Sequence, residues 1–133
     1  DVGCGYGFLS VVLAKELKIT GVGVDVNLRA LELAKKNAKL NQVSVSFKES
    51  NIYENVSGVF DLIITNPPIR AGKKVVLDIL IKAQDHLNFG GELWAVIRKD
   101  QGAKSIIKLL NEVYQVEVKE KNKGFYVFCC KNR

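Results

Sequence analysis

Apolar residues along the chain alternate between two kinds of pattern. In some segments they recur every three or four residues, which predicts amphipathic helices. The helical stripes are Leu9, Val12, Leu13 and Leu17; residues 28–40; Val76, Leu80, Ala83 and Leu87; and Ile106, Leu109, Leu110 and Val113. Asn27 is a suitable N-cap for the second helix, and Gly90-Gly91 predicts the end of the third.

The segments between these helices are short, apolar and rich in β-branched residues, which predicts strands. They are residues 19–24, 43–47, 62–65, 93–97, 116–118 and 125–129. Leu62–Thr65 is apolar without alternation, as expected for a strand covered on both faces of a parallel sheet. A turn at Asn122-Lys123-Gly124 joins the last two strands. The pattern predicts a doubly wound α/β sandwich, mostly parallel, with an antiparallel C-terminal strand.

Composition and charge narrow the class of protein and of partner. The 133 residues are 47% hydrophobic and 26% charged, which is ordinary for a globular domain. No uncharged apolar run is long enough for a membrane helix, so we expect no membrane partner. The net charge of +6 favours an anionic partner such as nucleic acid, although a solvated lysine-rich surface explains it equally well. The same two explanations hold for the basic C-terminal end, where Lys121 and Lys123 lie at the tip of the predicted hairpin.

Cysteine and histidine are too few for several kinds of chemistry. Cys129 and Cys130 are adjacent, Cys4 lies among glycines, and no C-x-x-C occurs, so we predict no metal site. Unpaired thiols suit a reducing cytoplasm. Cys4 has no basic neighbour in sequence, which indicates a packed thiol rather than a nucleophile. His86 is the single histidine, so a Ser-His-Asp triad has little to build on.

The first seven residues have the pattern of a turn between a strand and a helix. Gly3, Gly5 and Gly7 form G-x-G-x-G, and glycine is needed where φ is positive or where a ligand lies against the backbone. Asp25 ends the next strand, where a carboxylate accepts hydrogen bonds from ribose hydroxyls in such folds. Together these features predict a site for an adenosine-type cofactor. The third glycine comes one residue too early for a dinucleotide motif, which disfavours a nicotinamide dehydrogenase.

The strand that should lead into this turn is not in the sequence. The chain begins at Asp1, directly at the turn, and contains no Met. We infer that the chain is a piece of a longer protein, cut before its first motif.

The tetrapeptide Asn66-Pro67-Pro68-Ile69 follows the most apolar strand, so it lies where open α/β sheets bind ligands. Two prolines fix φ at successive residues and remove two N–H donors. The Asn66 side-chain oxygen and the Pro67 carbonyl remain as a rigid pair of acceptors. Such a pair can bind both hydrogens of an exocyclic NH₂ and stabilise the positive charge that develops there during methyl transfer. A loop that merely ends a strand is the alternative.

The resemblance to class I S-adenosylmethionine-dependent methyltransferases is carried by Asp1-Val-Gly-Cys-Gly-Tyr-Gly7, Asp25 and Asn66-Pro-Pro-Ile69. More narrowly, the chain resembles the methyltransferase small domain family at residues 25–31, 33–38, 66–73 and 87–94. That family includes the 16S and 23S ribosomal RNA guanine-N2 methyltransferases. The resemblance covers the whole chain. It implies a Rossmann-like methyltransferase sandwich, residues 1–133 forming one N-terminally truncated domain whose first strand is missing.

The resemblance implies that S-adenosylmethionine is the cofactor. The residues that would hold it are Asp1, Gly3, Gly5 and Gly7 for the methionine part, Asp25 for the ribose, and Asn51 and Ile52 for the adenine, with Val26 as a further cofactor-binding residue. Asn51 departs from the Asp that the family often has there. Its side-chain oxygen can still accept a hydrogen bond from the adenine amine.

The resemblance also assigns the amine site. Asn66 and Pro67 would hold the target amine, with Pro68 and Ile69 completing the catalytic tetrapeptide. Ile69 stands where many amino-methyltransferases carry Tyr or Phe, which favours guanine N2 over adenine N6 or glutamine N5. Arg70 and Lys73 would meet substrate phosphates, unless they are only solvated charges.

The sequence therefore predicts a cytoplasmic enzyme that methylates the N2 amine of a guanine in RNA, with ribosomal RNA or a ribosomal subunit as partner. The target base would have to be unpaired or flipped out of its helix. Two alternatives stay open. One is a methyltransferase for a protein glutamine or for adenine. The other is a cofactor-binding module without catalysis that serves ribosome assembly. The oligomeric state is not indicated.

Overall fold

The computed structural model describes residues 1–133, apart from the side chain of Ile69. The backbone packs as two compact units, Asp1–Ser57 and Gly58–Arg133. Both combine helices with strands. That they form one domain over residues 1–133 stays a prediction.

The first unit contains two helices and two parallel strands. They are α1 (Phe8–Leu17), β1 (Gly21–Asp25), α2 (Leu28–Leu40) and β2 (Val45–Glu49). β1 and β2 pair in register from Gly21 with Val45 to Asp25 with Glu49. The core of this unit is made of Val11, Leu31, Ala34, Ala38 and Phe47.

Helix α2 starts where the sequence predicted, directly after Asn27. The Asn27 side-chain oxygen accepts a hydrogen bond from the Ala30 N–H at 3.1 Å, which satisfies one of the free donors of the first turn. At the other end, the Asn41 side-chain amide donates to the Asn37 carbonyl at 2.8 Å. Both helix ends are therefore fixed by side-chain hydrogen bonds.

The predicted buried face of α1 was wrong. Ser10, Val11 and Ala14 are the buried residues, whereas Leu9 and Leu17 of the predicted stripe are exposed. The helix is apolar on most sides, so the period of its apolar residues does not select one face. Its smaller side chains, which allow close approach, lie toward the core.

The second unit contains a mixed four-stranded sheet. Its elements are β3 (Phe60–Thr65), α3 (Lys73–Lys82), β4 (Leu87–Arg98), α4 (Ala103–Leu110), β5 (Tyr114–Asn122) and β6 (Phe125–Asn132), with 3₁₀ turns at Ile69–Ala71, Ala83–His86 and Lys99–Gln101. The strand order is β3-β4-β6-β5. β3 is parallel to β4, whereas β6 is antiparallel to both β4 and β5. The predicted α/β class, which combines parallel strands with an antiparallel C-terminal strand, is confirmed.

The boundary between α3 and β4 differs from the prediction. Helix α3 ends at Lys82, and β4 begins at Leu87, so the predicted break at Gly90-Gly91 falls inside the strand. The register with β3 shifts between Phe60 and Leu62, which lets residues 88–91 bulge. A Cβ at Gly91 would lie 3.0 Å from the Phe60 carbonyl oxygen. Gly91 therefore allows a close backbone contact rather than ending a helix.

The hairpin of β5 and β6 confirms the predicted C-terminal turn. Asn122 pairs with Phe125, and Lys123 and Gly124 have φ angles of 41° and 87°. Two left-handed residues in a two-residue loop form the turn type that matches the twist of paired strands. Phe125 is 44% exposed because it begins β6 at this turn.

Candidate functional site

The glycine turn is fixed to the strand that follows α1. The N–H groups of Gly3 and Cys4 both donate to the Val24 carbonyl at 2.9 Å, and the Gly7 N–H donates to the Cys4 carbonyl at 2.9 Å. All three glycines are left-handed, with φ angles of 73° at Gly3, 55° at Gly5 and 84° at Gly7. L-residues with side chains rarely adopt this conformation, which explains the repeated glycine.

The three glycines differ in what surrounds them. A Cβ at Gly3 or Gly5 would meet no atom within 4 Å, so their backbone borders open space. A Cβ at Gly7 would lie 2.9 Å from the Phe47 ring and 3.0 Å from Ala34. Gly3 and Gly5 thus leave room for a ligand, whereas Gly7 is needed for packing. A role of Gly7 in cofactor binding stays a prediction.

Asp25 connects the turn to the start of α2. One carboxylate oxygen accepts the Gly5 N–H at 2.8 Å, and the other accepts the Asn27 N–H at 2.9 Å. Each oxygen of a carboxylate can accept two hydrogen bonds, so each keeps capacity for a ligand hydroxyl. The side chain is half-buried. Asp1 is fixed similarly, because its carboxylate accepts the Ser10 hydroxyl.

Cys4 lies in this turn as a protonated thiol. Burial, and then the nearby carboxylate of Asp25, raise the pKa of Cys4 to about 11. Only the thiolate is a good nucleophile. The environment therefore agrees with the predicted role of Cys4 as a packed residue.

The loop after β2 is organised by Ser50, which the sequence analysis did not single out. Ser50 is 2% exposed, and its N–H donates to the Asp25 carbonyl at 3.1 Å. Its hydroxyl donates to the Ile52 carbonyl at 2.8 Å and accepts the Asn55 N–H at 3.0 Å. Ile52 has a φ of 57°, a left-handed conformation that is strained for a β-branched residue. Ser50 holds this conformation, while Asn51 beside it is exposed.

These features of the first unit fit an adenosyl cofactor. The bare backbone at Gly3 and Gly5 borders open space, which a Cβ would partly fill. Asp25 offers anchored acceptor oxygens for hydroxyls, and the exposed Asn51 offers an amide. The exposed Val26 adds apolar surface beside Asp25.

The tetrapeptide after β3 has an alternating burial pattern. Thr65 and Pro67 are buried, whereas Asn66 and Pro68 are exposed. The Pro68 carbonyl accepts the Ala71 N–H at 3.0 Å, which closes the turn. Among the side chains that the structure describes, none forms a hydrogen bond with the Asn66 amide. The exposed Asn66 amide therefore keeps hydrogen-bonding capacity, on a loop in which two prolines fix φ.

Three residues near this loop were predicted to contact the substrate, and the structure describes them to different extents. The predicted base contact of Ile69 lies outside the described residues. Arg70 is exposed. Lys73 is also exposed, but its ammonium donates to the Ser105 hydroxyl. Contact of Lys73 with a substrate phosphate stays a prediction, and it would compete with Ser105.

No described helix has both the length and the apolar character to cross a bilayer. Within the residues that the structure describes, no three His, Cys, Asp or Glu side chains cluster as metal ligands would. Cys4, Cys129 and Cys130 are free thiols.

The fold is that of class I S-adenosylmethionine-dependent methyltransferases. A ribosomal protein L11 methylase from Lactobacillus delbrueckii subsp. bulgaricus superposes with a TM-score of 0.87 at 24% identity, over 100% of this chain and 68% of that one. The Thermus thermophilus 16S rRNA N2 G1207 methyltransferase RsmC, solved with AdoMet and guanosine, superposes with a TM-score of 0.84 at 24% identity, over 100% of this chain and 36% of that one. At this identity the likeness establishes the fold.

The chain belongs to the methyltransferase small domain family, whose model matches residues 1–129. It is an S-adenosylmethionine-dependent methyltransferase domain, and S-adenosylmethionine is its cofactor.

Three relatives place the chain within this family. YbxB of Bacillus subtilis, described as uncharacterized, is 46% identical over 136 residues, which cover 98% of this chain and 68% of YbxB. A putative protein N5-glutamine methyltransferase of Methanocaldococcus jannaschii is 52% identical over 68 residues, 51% of this chain and 34% of that protein. Ribosomal RNA small subunit methyltransferase C of Erwinia tasmaniensis is 42% identical over 98 residues, 70% of this chain and 29% of that protein. The chain thus spans much less than two thirds of the last two relatives.

Proposed function

We propose that the protein transfers a methyl group from S-adenosylmethionine to the exocyclic N2 amine of a guanine in RNA, with 16S ribosomal RNA as its substrate. The observation that carries this proposal is the exposed Asn66 amide, held between buried Thr65 and buried Pro67. Cytoplasmic localisation and a role in ribosomal RNA processing follow from that substrate.

The first unit would bind the cofactor, which supplies an electrophilic methyl group on a sulfonium. Asp1, Gly3, Gly5 and Gly7 are proposed to contact the methionine part. Asp25 would accept hydrogen bonds from the ribose hydroxyls while it continues to accept the Gly5 N–H. Val26, Asn51 and Ile52 would contact the ribose and the adenine. The strained Ile52 backbone, held by Ser50, would fix the adenine contact before the cofactor binds.

The second unit would bind the target amine. The Asn66 side-chain oxygen and the Pro67 carbonyl are proposed to accept one N–H each, which orients the nitrogen lone pair toward the methyl carbon. Positive charge develops on nitrogen as its bond to carbon forms and the carbon–sulfur bond breaks. The two oxygen dipoles stabilise that charge, so no strong base is needed before transfer. The extra proton leaves to water afterwards.

Two observations favour RNA as the substrate. The net charge of +6 suits a polyanion. The relative from Erwinia tasmaniensis, which matches over 70% of this chain, is a ribosomal RNA methyltransferase. Arg70, exposed beside the amine loop, could neutralise a phosphate near the target base.

A second candidate substrate is a protein glutamine. The putative N5-glutamine methyltransferase of Methanocaldococcus jannaschii has the higher identity, 52%, although over 51% of this chain. A carboxamide NH₂ presents the same two N–H donors as a guanine amine, so the pair of acceptors alone does not separate these substrates.

Mass analysis of the methylated product separates the candidates. The protein is incubated with isotopically labelled S-adenosylmethionine and with 16S ribosomal RNA, assembled small subunits, adenine-containing DNA or a glutamine peptide. We expect the label in N2-methylguanosine. Label in N6-methyladenosine or N5-methylglutamine would refute the proposed substrate. Cofactor binding without any transfer would indicate a non-catalytic module in ribosome assembly.

Ribosomal RNA from cells gives an independent test. We expect one N2-methylguanosine to disappear when the gene is deleted, and to return when it is restored. An Asn66→Ala gene that restores the modification would contradict the assigned role of Asn66.

A further inference from the structure

An open groove of about 670 Å³ lies in the second unit, where β4 ends and β6 begins. Six residues line it: Arg98, Lys99, Asp100, Lys123, Gly124 and Phe125. It contains none of the residues assigned above to the cofactor or to the amine. The backbone holds it in place, because Arg98 pairs with Phe125 and the Lys99 N–H donates to the Gly124 carbonyl.

The groove has a positive charge and an aromatic wall. Arg98 is paired with Asp100 at 2.8 Å, and their side chains are 53% and 64% exposed, so these two charges largely cancel. Lys99 and Lys123 form no ion pair with any side chain that the structure describes. Phe125 is 44% exposed beside them. Two available cations and one exposed ring are the elements with which proteins bind single-stranded nucleic acid.

Three other basic residues near the C-terminus differ from these lysines, because their side chains already form ion pairs or hydrogen bonds. Lys119 pairs with Glu117 at 3.0 Å, and Lys131 pairs with Glu92 at 3.2 Å. Arg133 donates to the carbonyls of Tyr114 and Asn111, and so helps to hold the chain end in place. Among the lysines near the C-terminus, those without an ion pair to a described side chain therefore lie at the β5–β6 turn.

The groove lies at the same edge of the second unit's sheet as Asn66. Thr65 pairs with Ala95 in the parallel strands β3 and β4, so Asn66 and Arg98 both lie toward the carboxyl ends of these strands. Strand spacing and rise place Phe125 roughly 10–15 Å from Thr65. A few nucleotides can span that distance.

We propose that this groove binds the single-stranded RNA segment next to the target guanine, with Lys99 and Lys123 on phosphates and Phe125 stacked on a base. This inference rests on the proposed RNA substrate, and it adds a second contact that lies beyond the amine loop. Contacts to phosphates give affinity and position without reading sequence. Stacking is equally tolerant of sequence, so the groove contributes affinity rather than choice of nucleotide.

The test measures RNA affinity against salt for matched charge variants. Fluorescence anisotropy follows a labelled single-stranded RNA of about a dozen nucleotides, a length within the usual site size. The test variant is Lys99→Gln/Lys123→Gln in the full-length protein with S-adenosylmethionine present. The control is Lys82→Gln/Lys108→Gln, which removes the same charge at exposed positions of α3 and α4. Losing two phosphate contacts should reduce the slope of log affinity against log salt by about 1.4, and the control should leave it unchanged.

A third variant tests the stacking contact. Phe125→Leu keeps an apolar side chain but removes the ring. We expect its affinity for RNA to fall about fivefold or more, and its affinity for inorganic polyphosphate, which has no bases, to stay at the wild-type value. Equal losses for both polymers would overturn the stacking contact. Thermal unfolding of each variant checks that the hairpin is intact.

The outcomes distinguish this inference from the proposed function. If the double variant binds RNA with the same salt slope as its control while the wild type forms N2-methylguanosine, the groove proposal is wrong and the function stands. If the groove variants lose RNA affinity but no methylated guanine forms, the proposed function is wrong, and only the contact of the groove with RNA stands. Stronger competition by polyglutamate than by polyuridine would point to an acidic protein instead and would also overturn the inference.

Discussion

The glycine turn and the Asn66 loop are both rigid, but for different reasons. The turn is held by hydrogen bonds from its own N–H groups to the Val24 carbonyl and to Asp25. The loop has two prolines, which fix φ and donate nothing, and it leaves the Asn66 amide without a bond from any described side chain. The turn thus presents bare backbone, whereas the loop presents an available functional group.

This difference separates binding from chemistry. Substitutions in the turn should change cofactor affinity and stability, because the same hydrogen bonds serve both. Substitutions at Asn66 should change the rate of transfer while leaving the fold intact, because the exposed amide contributes little to packing. The following experiments test that separation, from the largest expected effect to the smallest.

Asn66→Ala should have the largest effect. We expect kcat for methyl transfer to fall about 10²–10³-fold, since one of two dipoles that stabilise the developing charge is lost. Affinity for S-adenosylmethionine, measured by isothermal titration calorimetry, should stay within about twofold of the wild type, because the donor site is intact. A kcat near the wild-type value would show that Asn66 does not hold the amine.

Asp25→Asn should weaken cofactor binding, which Asn66→Ala leaves intact. We expect S-adenosylmethionine to bind about 10–100-fold more weakly, because hydrogen bonds to a charged acceptor contribute about 1.5–3 kcal/mol. The amide has one oxygen and so cannot accept both the Gly5 and Asn27 N–H groups and a ribose as well. Titration calorimetry measures this, with Glu32→Gln, an exposed carboxylate on α2, as the matched control. Unchanged affinity would remove Asp25 from the cofactor site.

Substitutions of two glycines in the turn should differ in their effect on stability. Gly7→Ala would bring a Cβ to 2.9 Å from the Phe47 ring at a φ of 84°, and we expect a loss of about 2–4 kcal/mol in the free energy of unfolding. Gly3→Ala meets only the backbone strain, about 1–2 kcal/mol.

Urea unfolding of the double variants sharpens this comparison. The changes in the free energy of unfolding caused by Phe47→Leu and Gly7→Ala should differ from additivity by about 1 kcal/mol, because the smaller side chain relieves the contact. The changes caused by Phe47→Leu and Gly3→Ala should simply add. Equal coupling in both pairs would contradict the different surroundings of the two glycines.

The smallest expected effect concerns Cys4, whose rate of alkylation should depend clearly on pH. Because burial and the Asp25 carboxylate raise its pKa to about 11, Cys4 is protonated at neutral pH. Its rate of alkylation by iodoacetamide should rise about tenfold per pH unit until the pH approaches that pKa. Asp25→Asn should lower the pKa and speed the reaction at pH 8. Mass analysis of the peptide containing Cys4 follows this, and a plateau near pH 8 would show an ordinary thiol.

Local signals in the sequence predicted those parts of the fold that depend on neighbouring residues. Asn27 as N-cap of α2 and the Lys123-Gly124 turn are both set by residues adjacent in the chain. The face of α1 and the start of β4 were not predicted, because they depend on packing against distant residues. Gly91 was interpreted as the end of a helix, yet its contact is with the Phe60 carbonyl of another strand.

The candidate site shows the same limit. Spacing alone pointed to Asp25 and to the glycines, and the structure adds the hydrogen bond that joins Asp25 to Gly5. Ser50 carried no signal, because a serine in a polar stretch has the same pattern whether it is exposed or buried at a loop. The groove at the β5–β6 turn could not be predicted from the sequence either, since it forms only when β4 pairs with β6.

Gly23, in the middle of β1, limits how the first unit can assemble. A Cβ there would lie 2.6 Å from the Phe47 ring and 3.1 Å from the Cys4 sulfur. If β1 slid by one residue along β2, Val22 or Val24 would occupy that place and collide with the ring. The absence of a side chain at Gly23 therefore favours the native register of β1 and β2 over shifted registers while the protein folds.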